Sequence, residues 1–323
     1  MPQDTANGSW LGHKGPGGFD LRTDVVTTPT PSMLAAVQSC TLLDDVFQES
    51  STTNDLESHV AALAGKEAGL FVLSGTMGNQ LALRALLTQP PHGVLCDKRS
   101  HIVNYEAGGV SSLTGAMVTS ILPENGIHLT LEEIQREAVV SDDLHDCPTR
   151  VISLENTLNG MIMPLSEIKR IAAWAREHGI HMHCDGARLW EAVAAGAGSL
   201  AEFCAEFDTV SLCFSKDGQE GGGAVGGLRG GFVHPVHTNM CWLDLGAAGC
   251  SAERLEALGK AEGLRLMGNR LVISYQVALN EDEVLARLER VFRAALTEAG
   301  AEEAGEAGDG AVRGSMYRRS AKE

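Results

Sequence analysis

Apolar residues recur along this chain in two alternating patterns, one at helical spacing and one in short unbroken runs. Asn54 to Ala64 carries Leu56, Val60 and Leu63 on one face and meets a stop at Gly65, which predicts a helix. The run Leu70-Phe71-Val72-Leu73 predicts a short buried strand ending in Ser74-Gly75-Thr76, after which Met77 to Leu87 returns to helical spacing. Val94-Leu95-Cys96, Met117 to Leu122, Arg150 to Leu154, Ile180 to Cys184 and Thr209 to Phe214 read as further strands. Between them, Thr130-Leu131-Glu132-Glu133 is a capping box that opens a helix, and Ser166 to His178 is a helix stopped by Gly179. A last helix, Glu281 to Leu296, would be capped by Asn280 with Glu283 and would bury Val284, Leu288, Val291 and Ala295. Such a β-α-β rhythm implies a mostly parallel sheet covered on both faces, with ligands at the carboxyl ends of its strands.

The chain has 323 residues, enough for one large α/β unit or a large and a small one. Acidic residues number 42 against 25 basic ones, giving a net charge of −17 that disfavours nucleic acid and anionic membranes as partners. No apolar run reaches transmembrane length, and Met1 to Gly18 is a polar, Gly-rich arm without a signal-peptide core, so a soluble cytoplasmic protein is expected. The eight cysteines are scattered and form no C-x-x-C pair, which favours reduced, mostly buried thiols over a disulfide framework or a metal site.

Candidate chemistry concentrates at predicted strand ends. His183-Cys184-Asp185-Gly186-Ala187-Arg188 closes one strand, and Phe214-Ser215-Lys216 closes the next. A carboxylate and a lysine so placed suit pyridoxal 5′-phosphate (PLP): the carboxylate keeps the pyridine nitrogen protonated and the lysine binds the aldehyde carbon. The plain alternative is an Asp-Gly turn followed by a surface arginine. Ser74-Gly75-Thr76, at a strand-to-helix turn, offers free N–H groups and a hydroxyl to a phosphate, or forms an ordinary N-cap. His101, in Ser100-His101-Ile102, can stack on an aromatic ring or simply cap a helix. Asn156, in Leu154-Glu155-Asn156-Thr157, can meet a phenolic oxygen or make a turn.

Taken in order, these motifs resemble the fold-type I PLP enzymes, and in detail the low-specificity L-threonine aldolase family. The match also draws on Asp20-Leu21-Arg22-Thr23-Asp24, Asp44-Asp45-Val46-Phe47, Ser74-Gly75-Thr76-Met77-Gly78-Asn79 and Leu212-Cys213-Phe214-Ser215-Lys216. It runs from Phe19 to Lys216 and resumes over His234 to Leu245, Asn269-Arg270-Leu271-Val272 and the final helix. The resemblance implies a three-layer α/β large domain (19–216), a smaller C-terminal α/β domain (234–298) and a homo-oligomer, dimer or tetramer. It implies Lys216 as the Schiff-base lysine, Asp185 on the pyridinium nitrogen, His101 on the ring face, and Gly75 and Thr76 on the phosphate. Asn156 would touch the ring. Thr23, Arg188 and Arg270 would hold the substrate carboxylate, and His145 would lie near the substrate hydroxyl. The implied reaction is reversible cleavage of a β-hydroxy-α-amino acid, such as threonine or allo-threonine, to glycine and an aldehyde.

One departure stands out. In the family, Ser-Lys is followed by a strand that returns into the sheet and by a long helical stretch between the domains. Here Lys216 leads into a Gly-rich bridge over 217–233, with Arg229 the one residue in it that could replace a phosphate contact. Such a bridge cannot bury an apolar face. The alternatives are therefore a β-eliminating amino-acid lyase of the same fold, or a shortened isoform or inactive paralogue. The ends, 1–18 and 299–323, are expected to be disordered.

Overall fold

The computed structural model describes residues 16–216 and 231–302. The expectations for most of the N-terminal arm, for the bridge over 217–230 and for the tail from 303 onward lie outside the described residues. Five strands, β1 (Gly93–Asp97), β2 (Met117–Ile121), β3 (Thr149–Glu155), β4 (His181–Gly186) and β5 (Thr209–Leu212), form one parallel sheet in the order β2-β1-β3-β4-β5. Two short strands, β6 (Met240–Trp242) and β7 (Arg270–Val272), pair antiparallel in a second sheet.

The helices are α1 (Pro31–Gln38), α2 (Ser51–Ala64), α3 (Gly75–Leu86), α4 (His101–Asn104), α5 (Gly109–Thr114), α6 (Leu131–Glu137), α7 (Leu165–Glu177), α8 (Leu189–Ala194) and α9 (Leu200–Cys204). In the C-terminal part they are α10 (Ala252–Ala261), α11 (Tyr275–Ala278) and α12 (Glu281–Glu302). The capping box at Thr130 forms as predicted, and Gly65 ends α2 in the left-handed conformation with φ 64°.

Alternation along the strands divides the large sheet's apolar side chains between two faces. Val94, Cys96 and Val151 pack with Leu83, Leu87 and Val110 from α3 and α5. Leu95, Ile152, Leu154, Met182 and Cys184 pack on the other face with Ile134, Ile168, Ile171 and Phe203 from α6, α7 and α9. The outcome is a three-layer α/β sandwich. A separate cluster forms around β6 and β7, where Val284, Leu288, Val291 and Ala295 of α12 bury the predicted face. Leu21 belongs to this second cluster, because Leu21 N–H donates to the Arg265 carbonyl and the Leu21 carbonyl accepts from Val272 N–H. Residues just after 18 therefore pack with the C-terminal part rather than with the large sheet.

Two local expectations are corrected. Leu70–Leu73 is not a strand, and Leu70, Phe71 and Leu73 are 72%, 51% and 90% exposed. A four-residue apolar run becomes a buried strand only when a neighbour takes up its backbone hydrogen bonds and a layer covers its side chains. Among the described residues it gains no such neighbour, and β5 ends the sheet. In α2 the buried positions are Ala61 and Ala64, whereas Leu63 is exposed. Asn280 gives its side-chain N–H to the Gln276 carbonyl, tying α12 to the preceding turn. Six of the eight cysteines are buried and all eight are free. Among the described residues no helix is long and apolar enough to cross a membrane.

Candidate active site

The chain crosses from β2 at one edge back over β1 to β3, so connections leave β1 and β3 in opposite directions and open a crevice beyond their carboxyl ends. His101 follows β1, Glu155 ends β3 and Asp185 lies near the end of β4. The His101 backbone N–H donates to Glu155 Oε2 at 2.7 Å and closes the crevice. Asp185 is 4% exposed; its Oδ1 accepts from Ala187 N–H at 3.1 Å and its Oδ2 from Asn79 Nδ2 at 2.8 Å. The same Asn79 nitrogen donates to Glu106 Oε1 at 2.9 Å, and that oxygen also meets His101 Nδ1 at 2.9 Å. The structure thus brings His101 and Asp185 together through Asn79 and Glu106.

Electrostatics follow from burial. The Glu155 carboxyl is pushed well above the ordinary carboxylate range, first by burial and then by the Asp185 charge, while Arg188 and Lys216 work against the shift. Burial drives His183 down to about 4, although Asp185 pulls the other way, so its ring is neutral at pH 7. His101, Glu106 and Asp185 place three possible metal-ligand atoms within 4.8 Å of one another. The Asn79 amide stands between the two carboxylates and supplies N–H donors where a cation would have to sit.

Lys216 Nζ lies 4.0 Å from Cys213 Sγ, and its charge reaches Asp24 and Glu155. A Cβ on Gly75 would stand 2.9 Å from the same sulfur, so a larger residue at the start of α3 would have to displace the Cys213 side chain just beyond β5. Ser74 caps α3 by accepting from Met77 N–H, which leaves the N–H groups of Gly75 and Thr76 in the first turn for an anion. These features fit PLP. A buried carboxylate can face the pyridine nitrogen, a glycine-lined helix start can take the phosphate, and Glu106 Oε2 is a buried acceptor without a partner beside them.

Arg188 is held by Asp24, with Nε to Oδ2 at 2.6 Å and Nη2 to Oδ1 at 2.8 Å, and Asn239 donates to the same carboxylate at 3.2 Å. Burial works to raise the Asp24 carboxyl, but the Arg188 hydrogen bonds and charge outweigh it and hold it below the ordinary value. Arg270 is 8% exposed, donates to the Arg22 carbonyl at 2.7 Å and lies 5.9 Å from the Trp242 ring. The Thr23 hydroxyl accepts from Val25 N–H at 3.4 Å. One residue stands apart from this group: His145 is 94% exposed and bonds Asp143 within its own loop. Asn156 lies in the cluster, its backbone N–H donating to the Asp185 carbonyl at 3.0 Å, while its side-chain amide is committed to the backbone N–H and carbonyl of Met163. Sequence reasoning did not single out Asn79, Glu106 or Asp24. Asn79 stands four residues after Gly75, one helical turn on, a spacing that puts both on the face of α3 toward the sheet.

Comparison with known proteins decides the family. Residues 20–238 match the model described as beta-eliminating lyase. The chain is 37% identical over 320 aligned positions to a low-specificity L-threonine aldolase of Candida albicans, covering 80% of this chain and 86% of that one. The chain belongs to the L-threonine aldolase family of fold-type I PLP-dependent lyases. Other relatives in the family carry other names. Aldolase vrtJ of Penicillium aethiopicum is 46% identical over 334 positions, covering 85% of each chain. Alanine racemase TOXG of Cochliobolus carbonum is 36% identical over 348 positions, covering 88% of this chain and 89% of that one. A solved Listeria monocytogenes chain, assigned provisionally as an L-allo-threonine aldolase, shares the fold with a TM-score of 0.63 at 20% identity, covering 88% of this chain and 97% of that one.

The alignments with vrtJ, TOXG and the Candida albicans aldolase show the same imbalance in length. The vrtJ alignment has 334 positions but uses 85% of 323 residues, about 275, so about 60 positions have no residue of this chain opposite them. The same subtraction gives about 60 for each of the other two alignments. The chain is therefore internally shorter than its relatives by about 60 residues.

Proposed function

We propose that this lyase is an aldolase that reversibly cleaves L-threonine and L-allo-threonine to glycine and acetaldehyde. The observation that carries the reading is the buried Asp24–Arg188 pair beside Asp185 and Glu155, because it puts a fixed guanidinium within the same crevice as the cofactor's carboxylate partner. PLP, when bound, supplies an electron sink for the charge left on the substrate's α-carbon. The residues of this chain supply the rest. With PLP bound, Lys216 would hold the cofactor's aldehyde carbon, Asp185 would keep the pyridine nitrogen protonated, and the N–H groups of Gly75 and Thr76 with the Thr76 hydroxyl would receive the phosphate. His101, fixed at Nδ1 by Glu106, would face the ring. Arg188, Arg270 and Thr23 hold the substrate carboxylate and so fix which bond at the α-carbon is broken. His145 is left out of this set because its ring is in solvent beside Asp143. If the shortened chain keeps the assembly surface of its family, we also propose a homo-oligomer of two or four copies, supported by the exposed apolar side chains of Leu42, Val46, Phe47 and Leu73.

Product analysis tests the assignment. Incubation with L-threonine and L-allo-threonine should yield glycine and acetaldehyde in equal amounts. Keto acid and ammonia would mark an eliminating lyase, and D-alanine formed from L-alanine would mark a racemase; either in place of glycine would overturn the aldolase reading.

A further inference from the structure

We propose that Asn79 is a positioning residue for the pyridine end of the cofactor, one neutral amide that fixes both Asp185 at the ring edge and His101 at the ring face. The inference rests on the PLP assignment and adds a residue to it. Asn79 is 1% exposed, and both its side-chain nitrogen and its oxygen are hydrogen-bonded. Its nitrogen meets Asp185 Oδ2 and Glu106 Oε1, and its oxygen meets His183 Nε2 at 3.2 Å.

Hydrogen-bond chemistry fixes the directions of the bonds made by Asn79. Carboxylates only accept, so the end of the amide facing both of them must be the NH2 group. The Asn79 oxygen then has to accept, which puts the single proton of neutral His183 on Nε2. Its Nδ1 is left to accept from the Thr209 hydroxyl at 2.9 Å. The chain of donors thus runs from Thr209 in β5 through His183 in β4 and Asn79 in α3 to two buried carboxylates. Glu106, so held, accepts from His101 Nδ1 and sets the plane of that ring.

What matters chemically is that the donor carries no charge. The guanidinium of Arg188 gives its Nε and Nη2 to Asp24 rather than to Asp185. Among the described residues the Asp185 carboxylate receives N–H groups from Asn79 and Ala187 and has no salt bridge, so it is oriented without a directly paired cation. An oriented but unpaired carboxylate is what a pyridinium N–H requires. The plain alternative is that Asn79 merely satisfies buried atoms between α3 and the sheet, a role that affects stability and nothing at the cofactor.

The test uses the full chain as apoprotein and after loading with PLP labelled with 15N in its pyridine ring. Wild type, Asn79→Leu and Thr209→Val are compared by cofactor dissociation constant, by the pyridine 15N shift across pH, and by thermal midpoint without cofactor. Loss of a hydrogen bond to a charged group corresponds to about tenfold or more in affinity. We expect Asn79→Leu to bind PLP at least that much more weakly and to release the pyridine proton at lower pH than wild type. Thr209→Val, a nearly isosteric change, should move the same two readouts in the same direction by less. In the wild-type apoprotein, histidine 15N shifts should show His183 neutral with its proton on Nε2; a proton on Nδ1, or a charged ring at pH 7, overturns the proposal without any variant. A variant set that loses only thermal stability, with unchanged PLP affinity and pyridine titration, also overturns it. Failure of the wild type to bind PLP at all would overturn the lyase reading, and the proposal with it.

Discussion

Replacing Asp24 with alanine strips Arg188 of the carboxylate that takes both its Nε and its Nη2. The Asp24 side chain is fully buried and that of Arg188 is 18% exposed, so water can replace little of the lost interaction. Breaking a buried ion pair from one side costs about 3–5 kcal/mol, against about 0–1 kcal/mol for a solvated surface pair. Asn239 loses an acceptor as well, while the nearby Asp185 carboxylate compensates Arg188 in part, so the expected loss is about 3 kcal/mol. At about 2–4 °C per kcal/mol for a large domain, that corresponds to a fall of about 6–12 °C in Tm. The assay is urea denaturation of the cofactor-free protein at pH 7. Asp24 has its carboxyl held low in the fold, so its contribution is complete above the unfolded pKa and is lost as pH falls through the folded one. Asp24→Leu combined with Arg188→Met should recover much of the loss, because no charge is then left unpaired. A cost below about 1 kcal/mol for Asp24→Ala would show that the pair behaves as a surface pair, and the argument for a fixed substrate-binding guanidinium would fail.

Other consequences are equally open to measurement. His183 is kept neutral down to about 4, so the unfolded chain takes up a proton first as pH drops below about 6.5. Stability of the apoprotein should therefore fall between those values by about 3 kcal/mol at most, and His183→Gln should flatten that slope; an unchanged slope would place the pH dependence elsewhere. Asp185→Asn should lose most turnover while keeping some cofactor, and wild-type activity in that variant would refute its role. The chain as it stands, about 60 residues shorter internally than its relatives, should bind PLP weakly or assemble poorly when expressed alone. Full cofactor occupancy in a stable oligomer would show the lost segment to be dispensable.

Much of the large sheet was legible because each strand is a short apolar run bounded by helices whose caps are written in the sequence, as at Thr130 and Gly65. Leu70–Leu73 was misread because strand formation depends on a partner that local pattern cannot reveal. The chemistry-bearing side chains at strand ends, Asp185 and Lys216, announced themselves by residue type and position. Asn79, Glu106 and Asp24 did not, since an amide or a carboxylate on a helix or in a loop looks like surface until its partners are known. His145, expected from the family resemblance, bonds Asp143 in its own loop with its ring exposed, and the Asn156 side-chain amide is taken by Met163 although its backbone N–H reaches Asp185.

The central claim is that Lys216 carries the cofactor at the end of β5, within reach of Asp24 and Glu155. Borohydride reduction of the PLP-loaded chain, followed by proteolysis and peptide mapping, tests it directly. The account predicts a single pyridoxyl label on Lys216 and loss of the visible absorbance of the bound cofactor in Lys216→Ala. A label on Lys98 or Lys169, or an unlabelled chain that still binds PLP, would contradict it.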